Sequence, residues 1–181
     1  MNALNIDRES KVLLSVGELN NNKNHSVIIK ALAKLNDENI HYIIVGEGPL
    51  KNKLIKLAER LNVGHRVHLL GYRNDISKLM NCADVFCFPS KREGLSVSLM
   101  EAMACGLPIV ASKIRGNIDL VVNEKDGKLV LCDRVHEYIE CINEILQNKL
   151  FFEDHIVSRK SNIRRFSLSN VEIELKRIYK I

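Results

Sequence analysis

Short apolar runs alternate along this chain with stretches in which apolar residues recur every three or four positions. The runs suit strands buried on both faces, and the wider spacing suits helices with one buried side. Lys11–Val16 reads as a first strand closed by Gly17, and Ile40–Val45 as a second. Between them Val27, Ile28, Ala31, Leu32 and Leu35 share one face of a helix that Asn24 is placed to cap. A turn at Gly46-Glu47-Gly48-Pro49 leads into a helix reaching about Leu61. Further strands fall near 67–70, 83–88, 107–111 and 127–131, with a short helix capped by Asn74 or Asp75 after the first of these. Val135, Tyr138, Ile139, Ile142, Ile145 and Leu146 form one side of a later helix. The C-terminal stretch is also helical in pattern, with Val171, Leu175 and Ile178 on one stripe.

Alternation of this kind predicts an α/β fold: a doubly wound, Rossmann-like parallel sheet of about six strands, covered by helices on both faces. In the common strand order 3-2-1-4-5-6, ligands bind where the order reverses, outside the carboxyl ends of the first and fourth strands. Here those ends are Gly17 and Phe88, and the loops that follow them are the two with unusual chemistry. Residues 1–10 read as the tail of a linker, which leaves the domain at 11–181.

At 181 residues the chain is one domain able to bury a sizeable core, and too short for two nucleotide-binding domains. No apolar run approaches the ~20 residues of a membrane span, and no basic-then-apolar signal segment opens it. The five cysteines are odd in number and form no CxxC pair, which points to reduced, buried thiols in a cytoplasmic protein. No His/Cys spacing supports a metal, and no resident cofactor is expected. The net charge is +5, and basic residues thicken over Arg159, Lys160, Arg164, Arg165, Lys176, Arg177 and Lys180. A solvated helical face is the first reading of that run and peripheral contact with an anionic membrane the second. Nucleic acid comes last, because no aromatic platform interleaves with the charges.

The stretch from Ser90 to Met103 carries most of the chemical information. It sets Glu93 and Glu101 eight residues apart around a helix start that directly follows a strand. A helix start offers free N–H groups and a positive dipole end, which suit a phosphate. Gly94 lets backbone approach a ligand closely, Ser96 or Ser98 is placed to cap, and the amides of Gly94, Leu95 and Ser96 face an incoming anion. Glu101 stands among Leu99, Met100, Ala102 and Met103, which predicts a mostly buried helix whose acid needs a polar partner. Carboxylates accept hydrogen bonds from hydroxyls, so phosphate and polyol would be held side by side, as a nucleotide-sugar requires. Lys23 is placed to neutralise a diphosphate, Tyr72 and Arg73 either flank a base or form an ordinary turn, and His25 reads as a loop or helix-start residue rather than a catalyst. Arg115-Gly116-Asn117 reads as a mobile polar loop at the same edge. Gly46-x-Gly48 lacks the third glycine of the dinucleotide fingerprint, since position 51 is Lys51, and no GxxxxGK[ST] run exists.

Together these residues resemble the donor-binding half of the retaining glycosyltransferases of family 4, built on the GT-B fold. The resemblance runs from about Val12 to the C-terminus. Its most specific part joins Ala83-Asp84-Val85, Glu93-Gly94-Leu95, Glu101-Ala102-Met103 and Gly106-Leu107-Pro108-Ile109-Val110. Ser15-Val16-Gly17-Glu18-Leu19 with Lys23-Asn24-His25, and Val45-Gly46-Glu47-Gly48-Pro49, extend it. Arg115-Gly116-Asn117-Ile118-Asp119-Leu120 looks like members that assemble bacterial capsule or exopolysaccharide. The resemblance implies transfer of a hexosyl group, with retention, from a nucleotide-sugar, by family likeness UDP-linked, to a glycan or lipid-linked acceptor. It places Glu93 on the donor sugar, Glu101 on the ribose, and Lys23 and the amides of Gly94, Leu95 and Ser96 at the diphosphate, with Gly17 among the donor-binding residues. The base would lie near Tyr72 and Arg73, no metal would be needed, and the helices of 155–181 would pack towards an N-terminal acceptor domain that the chain lacks. One departure stands out: many members carry arginine where this chain has Glu18. A nucleotide-sugar-binding module without transfer activity and a GT-B nucleotide-sugar epimerase are the competing readings.

Overall fold

A computed structural model of the chain describes residues 6, 7 and 9–179. The strands are β1 (Lys11–Val16), β2 (Ile40–Val45), β3 (Val67–Leu69), β4 (Val85–Phe88), β5 (Ile109–Ser112) and β6 (Gly127–Val130). The helices between them are α1 (His25–Leu32), α2 (Lys51–Arg60), α3 (Ile76–Met80), α4 (Val97–Ala104) and the single turn α5 (Arg115–Ile118). Four more follow: α6 (Val135–Gln147), α7 (Lys149–Asp154), α8 (Ile156–Arg164) and α9 (Leu168–Tyr179). All neighbouring strands pair in parallel, in the order β3-β2-β1-β4-β5-β6. That is the predicted doubly wound sheet, with its reversal between β1 and β4.

The period-2 geometry of strands decides which side chains meet which helices. Leu13, Tyr42, Ile44, Val85 and Cys87 point to one face, where Val27, Ile28 and Leu32 of α1, Leu54 of α2 and Tyr138 and Ile142 of α6 cover them. Val12, Leu14, Ile43, Phe86 and Phe88 point to the other, against Leu99, Ala102 and Met103 of α4 and Met80 of α3. Both faces are covered, so the strands are mostly apolar rather than alternating, and β4 is apolar throughout.

Several local expectations are corrected. Asn24 stands in the left-handed region (φ 53) and does not cap α1; its amide donates instead to the carbonyl of Cys132 (3.1 Å) and to Asp133 (3.3 Å). Asp75 precedes α3 without a capping bond, because Arg73 engages both of its oxygens (2.8 and 2.7 Å). The fourth strand begins only at Val85, since the Asp84 carboxylate turns back to accept from the amide of Val12 (2.9 Å). Of the five free cysteines only Cys87 is buried; Cys82 is exposed and the other three are half-buried. Within the segment read as linker, residues 1–5 and 8 lie outside the described residues, while Ile6 is buried against the α4 side of the sheet.

The C-terminal helices divide. α8 lies on α4, with Ile156 over Gly106. The Arg159 guanidinium is fully buried and donates to the carbonyls of Gly106 (3.1 and 2.9 Å), Lys125 (2.7 Å) and Phe152. It therefore belongs to the core and not to a solvated basic face. α9, by contrast, leaves Leu168, Ile173, Ile178 and Tyr179 exposed, and Val171 partly so. The side chain of Leu175 and residues 180 and 181 lie outside the described residues. Among the described residues no helix is long and apolar enough to cross a membrane.

Candidate functional site

The loops after β1 and β4 meet above the carboxyl edge of the sheet. Asn20 accepts from the amide of Lys23 (2.9 Å), a turn that sends the lysine back across Gly17. A β-carbon at Gly17 would lie 3.1 Å from the Lys23 side chain, so a larger residue there would crowd that path. The ammonium sits 4.9 Å from the centre of the Phe88 ring and 2.7 Å from Glu93 Oε1, across 70 residues of sequence. Both side chains of this ion pair are mostly covered, at 19% and 15% exposure. Asn22, which sequence reasoning missed, ties the two loops together. Its amide donates to the Arg92 carbonyl (2.8 Å) and, more weakly, to Glu93 Oε1 (3.4 Å), and its own carbonyl accepts from Lys91 (2.8 Å).

Beyond Glu93 the chain enters α4. Ser96 is its cap, accepting from the amide of Leu99 (3.4 Å), and Ser98 lies within 3.2 Å of the Ser96 hydroxyl. Among the described residues the amides of Gly94, Leu95 and Ser96 donate to no protein acceptor. They are the orphan donors that a helix start presents. Leu95 is half exposed, and the space beside Gly94 is open, with nothing within 4 Å of where a β-carbon would stand. Glu101 is exposed, contrary to the expectation of a buried acid. The reason is helical period: α4 buries Leu99, Ala102 and Met103, and position 101 falls on the opposite side.

The expected mobile loop at 115–117 is a packed support. Gly116 and Asn117 are buried in α5, and a β-carbon at Gly116 would stand 1.8 Å from the carbonyl oxygen of Gly94. Ser112 donates to the carbonyl of Ser90, and Asn117 donates to the carbonyl and hydroxyl of Ser112 (2.9 and 3.2 Å). The loop carrying Glu93 is thus held from β1 by Asn22 and from β5 by this buried polar set. No periodicity signals such a network, since its members are small polar residues ordinarily read as turns.

Behind the Lys23 loop, His25 is buried at the start of α1, with Nδ1 3.1 Å from the Tyr42 hydroxyl. That hydroxyl donates to Ser15 (2.8 Å), which donates to the Cys87 carbonyl (2.5 Å). Tyr42 therefore accepts from His25 Nδ1–H, and Nε2 makes no hydrogen bond. Burial pushes His25 down to about 4; the Lys23 charge acts the same way, and the carbonyls of Glu18 and Gly17 oppose it. His25 is a structural, neutral imidazole.

The remaining predicted positions lie around this centre. The loop after β2 is drawn in by Gly46, where a β-carbon would be 2.0 Å from the Gly17 carbonyl, and Gly46 pairs with Gly71 after β3. That pairing brings Tyr72 and Arg73 to the same edge. Tyr72 is exposed, and Arg73 is raised further above its usual range by its bonds to Asp75. Glu18 is exposed and accepts from the Asn20 amide (2.9 Å). A separate cavity of about 260 Å³, lined by Lys11, Asp84, Pro108, Phe152 and Arg159 among others, opens at the amino ends of the strands. It is the seam left where α7 and α8 fold back, at the edge where doubly wound sheets do not bind ligands.

Comparison with known proteins bears on the family and the fold. The family model described as glycosyl transferases group 1 matches residues 1–163. The UDP-Gal:alpha-D-GlcNAc-diphosphoundecaprenol alpha-1,3-galactosyltransferase of Escherichia coli is 33% identical over 98% of this chain and 46% of its own length. Protein CapJ of Staphylococcus aureus is 32% identical over 94% of the chain and 44% of its own length. Among solved structures, Anabaena Alr3699/HepE in complex with UDP and glucose superposes with a TM-score of 0.90 at 24% identity, over 99% of this chain and 50% of that one. The chain spans about half the length of the curated relatives it matches.

Proposed function

The chain belongs to the group 1 glycosyl transferases, and on that premise we propose that it forms the donor half of a hexosyltransferase acting on a UDP-sugar. The observation that carries this reading is the meeting of Lys23 and Glu93 at 2.7 Å, beside the unpartnered amides of Gly94, Leu95 and Ser96. A cation and helix-start amides match a diphosphate, and a carboxylate next to them matches sugar hydroxyls.

In this reading Lys23 and the three amides hold the diphosphate, with Gly17 giving the room. Glu93 accepts from hydroxyls of the donor sugar, Glu101 from those of the ribose, and Tyr72 and Arg73 flank the base. As the glycosidic bond breaks, negative charge builds on the departing diphosphate. Lys23 and the amides stand where that charge develops, which is electrostatic catalysis without a metal or cofactor. One unit charge at ~4 Å and an effective dielectric near 20 is worth about 4 kcal/mol, ample for such a role. The acceptor hydroxyl attacks from the face the diphosphate leaves, so configuration is retained. Glu18 is engaged by Asn20 and does not contribute to the phosphate site.

The acceptor is a lipid-linked saccharide, and the product serves a cell-surface polysaccharide. Support comes from the Escherichia coli relative, whose name specifies a diphosphoundecaprenol acceptor, and from CapJ. In this reading the protein is cytoplasmic and works peripherally at the inner face of the plasma membrane, with α9 turned towards an acceptor-binding domain.

Calorimetric titration of the chain with UDP, GDP and ADP tests the site. UDP should bind best, and Lys23→Ala and Glu101→Ala should each weaken it at least tenfold, or about 1.4 kcal/mol. UDP affinity unchanged in both variants would move the site elsewhere.

A further inference from the structure

Lys23 and Glu93 satisfy one another in the protein alone, with about four-fifths of each side chain covered. We propose that this pair makes Glu93 the residue by which the site prefers a nucleotide-sugar over the bare nucleoside diphosphate. The inference rests on the donor-site reading above and assigns Glu93 a role beyond contact with the sugar. A phosphate approaching Lys23 must compete with a carboxylate already 2.7 Å from its nitrogen. If the ammonium turns to the phosphate, Glu93 keeps only the weak contact from Asn22 at 3.4 Å and faces a new negative neighbour.

The two ligands differ in what they offer the released carboxylate. A sugar on the diphosphate brings hydroxyl donors that replace the ammonium hydrogen, so Glu93 ends partnered. A nucleoside diphosphate brings an extra negative charge and no hydroxyl donor at that point, so Glu93 loses the ammonium, gains no sugar partner and is opposed by the phosphate. Retreat of the acid is restricted. Asn22 holds the Arg92 carbonyl at 2.8 Å and accepts from Lys91, while Gly116 packs directly under the Gly94 carbonyl. The backbone that carries the carboxylate therefore stays beside the phosphate position whichever ligand arrives. The consequence is a site that grips the substrate and lets the nucleotide product go.

The test is calorimetry of the 181-residue chain with UDP and with UDP-glucose, extended by NMR titration where affinity is weak, on the parent, Glu93→Gln, Glu93→Ala and Lys23→Ala. Removing the negative charge within ~5 Å of a phosphate at an effective dielectric near 20 should tighten UDP binding by about two orders of magnitude. Glu93→Gln and Glu93→Ala should both show that gain, and both should lose the parent's preference for UDP-glucose. Lys23→Ala should weaken both ligands. Thermal melts of each variant verify folding, which a loop substitution at Glu93 should leave intact. UDP affinity unchanged or weakened in both Glu93 variants, with Lys23→Ala still weakening it, overturns this inference and leaves the donor site standing. A parent that binds neither ligand, with no response to Lys23→Ala, overturns the donor site as well.

Discussion

Acidification should destabilise this fold through one buried imidazole. His25 is 3% exposed and donates from Nδ1 to Tyr42, so its protonated form would place a charge in the interior that the carbonyls of Glu18 and Gly17 offset only in part. Its folded value of about 4 lies below the ordinary 6.5. Between those values the unfolded chain binds a proton at this residue and the folded chain does not, so stability falls as pH drops through the window. The loss begins near pH 6.5 and is complete near pH 4. The separation corresponds to about 3 kcal/mol, a sizeable share of an ordinary domain's stability. His41 and His68, 3.0 Å apart on β2 and β3, are also lowered by burial and add to the same trend. The assay is therefore a difference: urea unfolding of the parent and of His25→Phe, from pH 7.5 to pH 4. The parent should lose about 3 kcal/mol more than the variant over that range. An equal loss in both proteins, or an NMR titration of His25 with a midpoint near 6.5, would refute the reasoning. Because His25 follows Lys23 by two residues, the loop that presents the ammonium should loosen in the same window.

Gly116→Ala places a β-carbon 1.8 Å from the Gly94 carbonyl oxygen and 3.0 Å from that of Glu93, both backbone atoms that no rotamer change can move aside. Stability should fall by about 1–3 kcal/mol, and UDP affinity at least tenfold, although Gly116 touches no ligand group; calorimetry with unchanged affinity would show that the support does not matter. Arg159→Met leaves the carbonyls of Gly106, Lys125 and Phe152 without their donor, so urea unfolding should show a loss of about 3 kcal/mol or more. UDP affinity of the folded fraction should not change, since Arg159 stands at the opposite edge of the sheet.

Much of the fold was legible in the order of residues. β1 and β2 have the bounds the apolar runs predict, and the strand order is the common one expected for a sheet of this kind. Of the site, the spacing of Glu93, Gly94 and Ser96 after an apolar strand announced a helix start, and Lys23 followed from its place after β1. Glu101 shows where neighbours in sequence mislead: apolar residues at 99, 102 and 103 bury one side of α4 and leave 101 on the other. Asn22 and Ser112 had no signal, and nothing pointed to the bonds that Ser90 and Asn117 make, because a polar residue's partner lies at an unknown distance along the chain.

Local pattern thus settles which segments become strands and helices, because apolar period and chain direction act over a few residues and leave few topologies open. Contacts across the sheet edge were decided only by the folded chain. The union of Lys23 with Glu93, the support of Gly94 by Gly116 and the depth of His25 and Arg159 each join residues tens of positions apart, at distances that packing alone sets.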